Sequence, residues 1–151
     1  MVIEILKELF DRDLKKLKTE IGQYKDEINL WKVDGELPNS GGNLTLHLIG
    51  NLKHFIGAEL GGSGYVRQRD LEFSSEATPR AELLQMIEET MADVAAGLDN
   101  VTPEQLNADY PIVVFADRTD KMTTGWFLIH LATHLDYHLG QINYHRRLLD
   151  K

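Results

Sequence analysis

A chain of 151 residues suits one domain with one core, and its 42% hydrophobic and 26% charged fractions argue against both disorder and a membrane span. A formal net charge of −8 speaks against a general phosphate-binding surface, because nucleic-acid binders present a basic face. With no cysteine there is no disulfide, no thiolate nucleophile and no cysteine zinc site, so any metal must be held by His, Asp or Glu.

The N-terminal "MVIEILKELFDRD" carries acids inside its apolar stretch and has no small-residue cleavage site, which predicts a cytoplasmic protein. Across residues 2–31, Ile5, Leu6, Leu9, Phe10, Leu14, Leu17, Ile21, Tyr24, Ile28 and Trp31 recur at three- and four-residue steps, the pattern of one long amphipathic helix. "VDGELPNSGGN" stops it, and Ser40 or Asn43 caps a second helix that runs to about Leu60. Residues 61–73, "GGSGYVRQRDLEF", read as a loop whose one strand-like piece is too short to build a sheet. Thr78 followed by Pro79 starts a third helix over 79–98, with Thr78 as its cap. A connection over 99–122 contains "PIVVFA", which either extends or plugs the end of the bundle, and a fourth helix runs from Thr123 or Thr124 to about Leu149. Four amphipathic helices without pairing strands predict an all-α helix bundle spanning 1–151 as a single domain, with two connections long enough to cross over it.

Four of the six histidines, His130, His134, His138 and His145, lie on that fourth helix. On a helical wheel, Phe127, His130, His138, Gln141, His145 and Leu148 fall within about 40° of His134, toward the core, where polar groups need partners. Residues four apart are neighbours, so His134 with His138, or His130 with His134, can aim two ring nitrogens at one point. Two such ligands alone bind a metal weakly, and the second helix offers a third as His47 or His54. These two are about 10.5 Å apart along the axis, so only one can join a given ion. The competing reading is a set of neutral core imidazoles bonded to one another and to Gln141. A zincin is excluded, because "HLDYH" has Leu135 where the HExxH pattern places its glutamate.

Two stretches, "GGNLTLHLIGNLKHFIGAELGGSGYVRQRDLEF" and "THLDYHLGQINYHRRLL", carry a resemblance to the DinB-like superfamily of metal-dependent four-helix-bundle proteins, and the resemblance extends over nearly the whole chain. Members place one histidine on the second helix and two, four apart, on the last, the latter followed by a short "xGQ". In this sequence "HLGQ" is residues 138–141, so the pattern lands on His134 and His138, with His47 the matching position on the second helix and His54 the weaker one. The resemblance implies a four-helix bundle of the DinB-like type with crossover connections, and a three-histidine site that leaves coordination positions open for catalysis. Zinc and nickel suit imidazole, and iron also fits. Characterised relatives include thiol-dependent transferases and isomerases, which implies a low-molecular-weight thiol as cosubstrate.

Asn51, one turn after His47, and Gln141, three residues after His138, are placed to orient ligands or water, or to make ordinary core hydrogen bonds. His54 and His130 remain candidate neighbours of the site, and Tyr137 lies at its edge, where aromatic packing explains it equally well. Arg67 and Arg69 in "YVRQRD" suit a substrate carboxylate or phosphate, or surface ion pairs. Gly50 and Gly57 permit the close approach of a helix or of a ligand. No carboxylate base is evident beside the histidine pair. The resemblance nevertheless implies a metal-dependent enzyme, a thiol transferase or a hydrolase acting on a small molecule, and the composition predicts neither nucleic acid nor membrane as partner. The alternative is a noncatalytic bundle that binds metal or ligand for stability, sensing or assembly. The long apolar first helix also suits a homodimer, unless its own core consumes that stripe.

Overall fold

The computed structural model describes residues 1–151 and is all-helical, with two isolated bridges, Asp34 to Leu37 and Asp109 to Thr123, and no strand. Its elements are α1 (Val2–Gly22), a 3₁₀ turn (Glu27–Trp31), α2 (Gly41–Leu52) with a π-helical extension (Lys53–Ala58), α3 (Arg69–Ser74), α4 (Arg80–Asp99), α5 (Pro103–Asn107) and α6 (Thr124–Leu149). The expected fourth helix is thus α6. The long elements enclose one hydrophobic cluster: α1 packs on α4 and α6, and α2 with its extension packs on the same two helices. The three- and four-residue spacing of α1 buries Leu6, Phe10, Leu14, Leu17 and Ile21 against Leu83, Ile87, Val94 and Leu98 of α4 and Phe127, Leu131, Leu135 and Ile142 of α6. Every residue of α2 is buried, so this short helix forms the centre of the fold.

α1 stops nine residues before the expected Trp31. The carboxylate of Asp150, at the far end of the chain, accepts hydrogen bonds from Lys25 N at 2.6 Å, Asp26 N at 3.2 Å and Asn29 Nδ2 at 2.8 Å. These bonds supply the turning backbone with partners that a continued helix would have provided internally, while Ile28 is left 70% exposed. Ser40, rather than Asn43, caps α2, its hydroxyl accepting from Asn43 N at 3.0 Å. Gly62, with φ +66°, closes the π extension, its N–H reaching Ala58 O at 2.9 Å. The expected loop 61–73 ends instead in α3, whose backbone is held by Asn43 Nδ2, donating to Glu72 O at 3.0 Å and Ser75 O at 2.7 Å.

Pro79 sits at the N-cap of α4 and Thr78 makes no capping bond; the Glu27 carboxylate takes the Arg80 N–H instead. α5 begins in a capping box, with Thr102 Oγ1 accepting from Gln105 N and Gln105 Oε1 accepting from Thr102 N. "PIVVFA" forms no strand; Ile112, Val114 and Phe115 pack half-buried against the core, as the plugging alternative requires. Thr123 caps α6. No helix is long and apolar enough to cross a membrane.

Candidate metal centre

The packing of α2 on α6 brings His47 opposite His134 and His138. One ligand nitrogen from each of the three lies within 4.8 Å of those of the other two. Ring centroids are 5.1 Å apart for His47 and His134, 5.2 Å for His47 and His138, and 4.6 Å for His134 and His138, each pair close to edge-on. The Nε2 atoms of His47 and His134 stand 3.2 Å apart. Two lone pairs at that distance repel unless a proton or a cation lies between them. Tetrahedral ligands with Zn–N bonds of about 2.0–2.1 Å sit about 3.3 Å from each other, so the spacing suits a shared divalent ion.

The outer nitrogens decide how each ring is held. His138 Nδ1 donates to Gln141 Oε1 at 2.6 Å, which leaves its Nε2 lone pair free. His47 Nδ1 lies 3.1 Å from Glu72 Oε1, and Arg67 grips the same carboxylate with Nε to Oε2 and Nη2 to Oε1, both at 2.8 Å. Arg67 Nη2 also lies 3.3 Å from His47 Nδ1, but a protonated Nδ1 cannot accept from it. The outer Nδ1 of His134 is buried without a partner, and so is Oδ1 of Asn51, one turn along α2 from His47. The donor set and the spacing fit an imidazole-bound transition metal, whereas the unpartnered outer Nδ1 of His134 is satisfied by neither a metal nor a closed histidine network.

Burial, reinforced by the neighbouring His138, His47 and His130 rings, pushes His134 down from 6.5 to about 3. Burial also lowers His138, although its bond to Gln141 acts the other way. Both are therefore neutral near pH 7, the state a metal ligand needs. Burial alone would raise the Glu72 carboxyl; the hydrogen bonds from Arg67 and His47 outweigh it and hold the group below its usual 4.5.

The other sequence candidates divide. His130 is half-buried at a ring distance of 6.2 Å from His134, stacked on Trp126 and Phe127 and edge-on to Phe115. His54 sits in the π extension against Phe55, outside the group. His145 is occupied elsewhere, its Nδ1 2.7 Å from the Tyr24 hydroxyl and its Nε2 2.8 Å from Lys32 O. Tyr137 is 65% exposed beside His138, and Arg69 is exposed on α3 without an ion pair. Sequence reasoning missed Glu72, whose carboxylate stands beside His47 with both oxygens held by Arg67. Nothing in local periodicity marks it, because it reaches His47 from 25 residues away through a loop. Gly50 was the available signal: a Cβ there would fall 2.0 Å from Glu72 Oε2, so the glycine makes room for this side chain.

A family model described as "Protein of unknown function (DUF1572)" matches residues 2–151. Among solved structures, the chain is similar to a conserved protein from Enterococcus faecalis. The TM-score is 0.74 at 17% identity, over 97% of this chain and 95% of the other, a likeness of fold. No curated protein matches.

Proposed function

The chain belongs to the DUF1572 family, and from that premise and its histidine geometry we propose a metal-dependent enzyme of the DinB-like four-helix-bundle type. His47, His134 and His138 are its ligands and zinc or nickel its ion, with iron also compatible. The convergence of three imidazole nitrogens from two helices carries the reading. A bound cation of this kind supplies Lewis acidity at the positions the three imidazoles leave open. The protein's own part is to keep the His134 and His138 rings neutral, to orient His138 through Gln141, and to keep water from the buried His47 side. We assign a small-molecule substrate and a transferase reaction with a low-molecular-weight thiol, or a hydrolysis. The net charge of −8 supports a partner other than nucleic acid. We place the enzyme in the cytoplasm as one domain and leave to α1 the option of a homodimer.

One observation favours a noncatalytic metal-binding role instead. Both oxygens of the nearest carboxylate, Glu72, are taken by Arg67, so no free base stands beside the ligands. Elemental analysis of tag-free protein tests the first step. About one equivalent of a transition metal is expected, and less than about a tenth, after purification with metal available, would overturn the three-histidine reading. Turnover by the loaded protein with thiols plus electrophiles, or with esters and amides, then separates enzyme from binder. Loss of thermal stability alone in His134→Ala, with no turnover in the parent, would favour the binder.

A further inference from the structure

The three rings of the centre are anchored unequally. His138 leans on a neutral amide oxygen, and the outer nitrogen of His134 has no partner. His47 alone leans on a carboxylate, Glu72, which is 5% exposed and gripped at both oxygens by Arg67. A buried carboxylate needs partners of this quality to remain in place. The backbone is arranged around it. Gly50 leaves a notch in α2 that any side chain would fill, and Asn43, one turn before His47, pins Glu72 O and Ser75 O to the same helix. The ring of Phe73 closes over His47 at 5.2 Å.

From these contacts we infer that Glu72 is a positioning residue for the metal centre: it accepts a hydrogen bond from the Nδ1–H of His47, turns the Nε2 lone pair toward the other two histidines, and ties metal binding to the order of segment 61–75. The inference rests on the metal reading above and adds to it the group that orients one ligand. Arg67 has a matching part. With both oxygens engaged by the guanidinium, Glu72 stays behind the histidine instead of joining the ion, which keeps the ligand set at three imidazoles.

Long-range ¹H–¹⁵N NMR of the full-length, metal-free protein reads the tautomer directly. His47 protonated at Nδ1 is expected. Protonation at Nε2, with Nδ1 accepting from Arg67, would overturn the assignment. Zinc(II) and nickel(II) affinities by chelator competition supply the second readout. Glu72→Ala should bind about 10–100-fold more weakly, while Glu72→Gln, which keeps an acceptor oxygen for Nδ1, should lose less than about tenfold. Amide exchange over 61–75 should slow on metal addition in the parent and not in Glu72→Ala. A folded Glu72→Ala that binds within about twofold of the parent sinks the inference. A parent that binds neither ion sinks the metal reading, whereas the tautomer, measured without metal, still decides whether Glu72 sets the ring.

Discussion

His145 and His47 face the same demand, an imidazole taken out of water, and meet it in opposite ways. His47 gives one nitrogen to Glu72 and keeps the other for the centre, whereas His145 spends both, toward the Tyr24 hydroxyl and the Lys32 carbonyl. The wheel placed His145 on the same inward face as His134 and His138, because helical periodicity reports direction well. It could not tell ligand from core histidine, since that depends on partners in other segments. Glu72 shows the same limit: Gly50 hinted at a close neighbour, and only the fold says that the neighbour is a carboxylate. The His145 arrangement makes a prediction. Burial lowers its folded-state pKa below the ordinary 6.5, although the Lys32 bond opposes this, so the unfolded chain takes up its proton first as the solution is acidified. Its contribution to stability is therefore complete above pH 6.5 and drains as pH falls toward the folded value, by at most about 1.4 kcal/mol per pH unit. Urea midpoints at pH 7.5 and 5.5 should show this loss, and His145→Gln should be less stable at pH 7.5 yet lose less on acidification. Equal acid losses in the two proteins would refute the assignment.

At the scale of elements, the boundary of α1 is the instructive error. Tyr24, Ile28 and Trp31 continue the apolar rhythm beyond Gly22, and a pattern count has no reason to stop there. Three hydrogen bonds donated to the Asp150 carboxylate stop it, and that acceptor comes from the other end of the chain. α4 and α6 were legible to within a residue or two, because their apolar stripes and their Pro79 and Thr123 start signals agree with their surroundings. α3 was not, since a six-residue helix has too few turns to show a period. If Asp150 terminates α1, then Asp150→Ala should destabilise the fold by about 2 kcal/mol, the scale of hydrogen bonds to a buried charge. Amide exchange should quicken selectively over residues 23–32. A loss below about 0.5 kcal/mol, the level of an ordinary surface change, would show that the turn holds without it.

At the scale of the whole molecule, the three ligands come from α2, the buried central helix, and α6, the longest one, while Glu72 ties in the segment that bears α3. An ion there would cross-link parts of the chain that are far apart in sequence and already packed in space. Binding to the folded state alone stabilises it by about 2.7 kcal/mol when free metal is a hundredfold above Kd. For a domain of roughly 150 residues, 1 kcal/mol moves the melting temperature by about 2–4 °C, so the loaded protein should melt about 5–10 °C higher than the same protein treated with a chelator. The increment should vanish in His47→Ala and His138→Ala and persist in His54→Ala and His130→Ala, whose rings lie outside the group. A chelator-insensitive melt in the parent, or an increment that survives the loss of His47, would mean that the three nitrogens meet in space without holding anything between them.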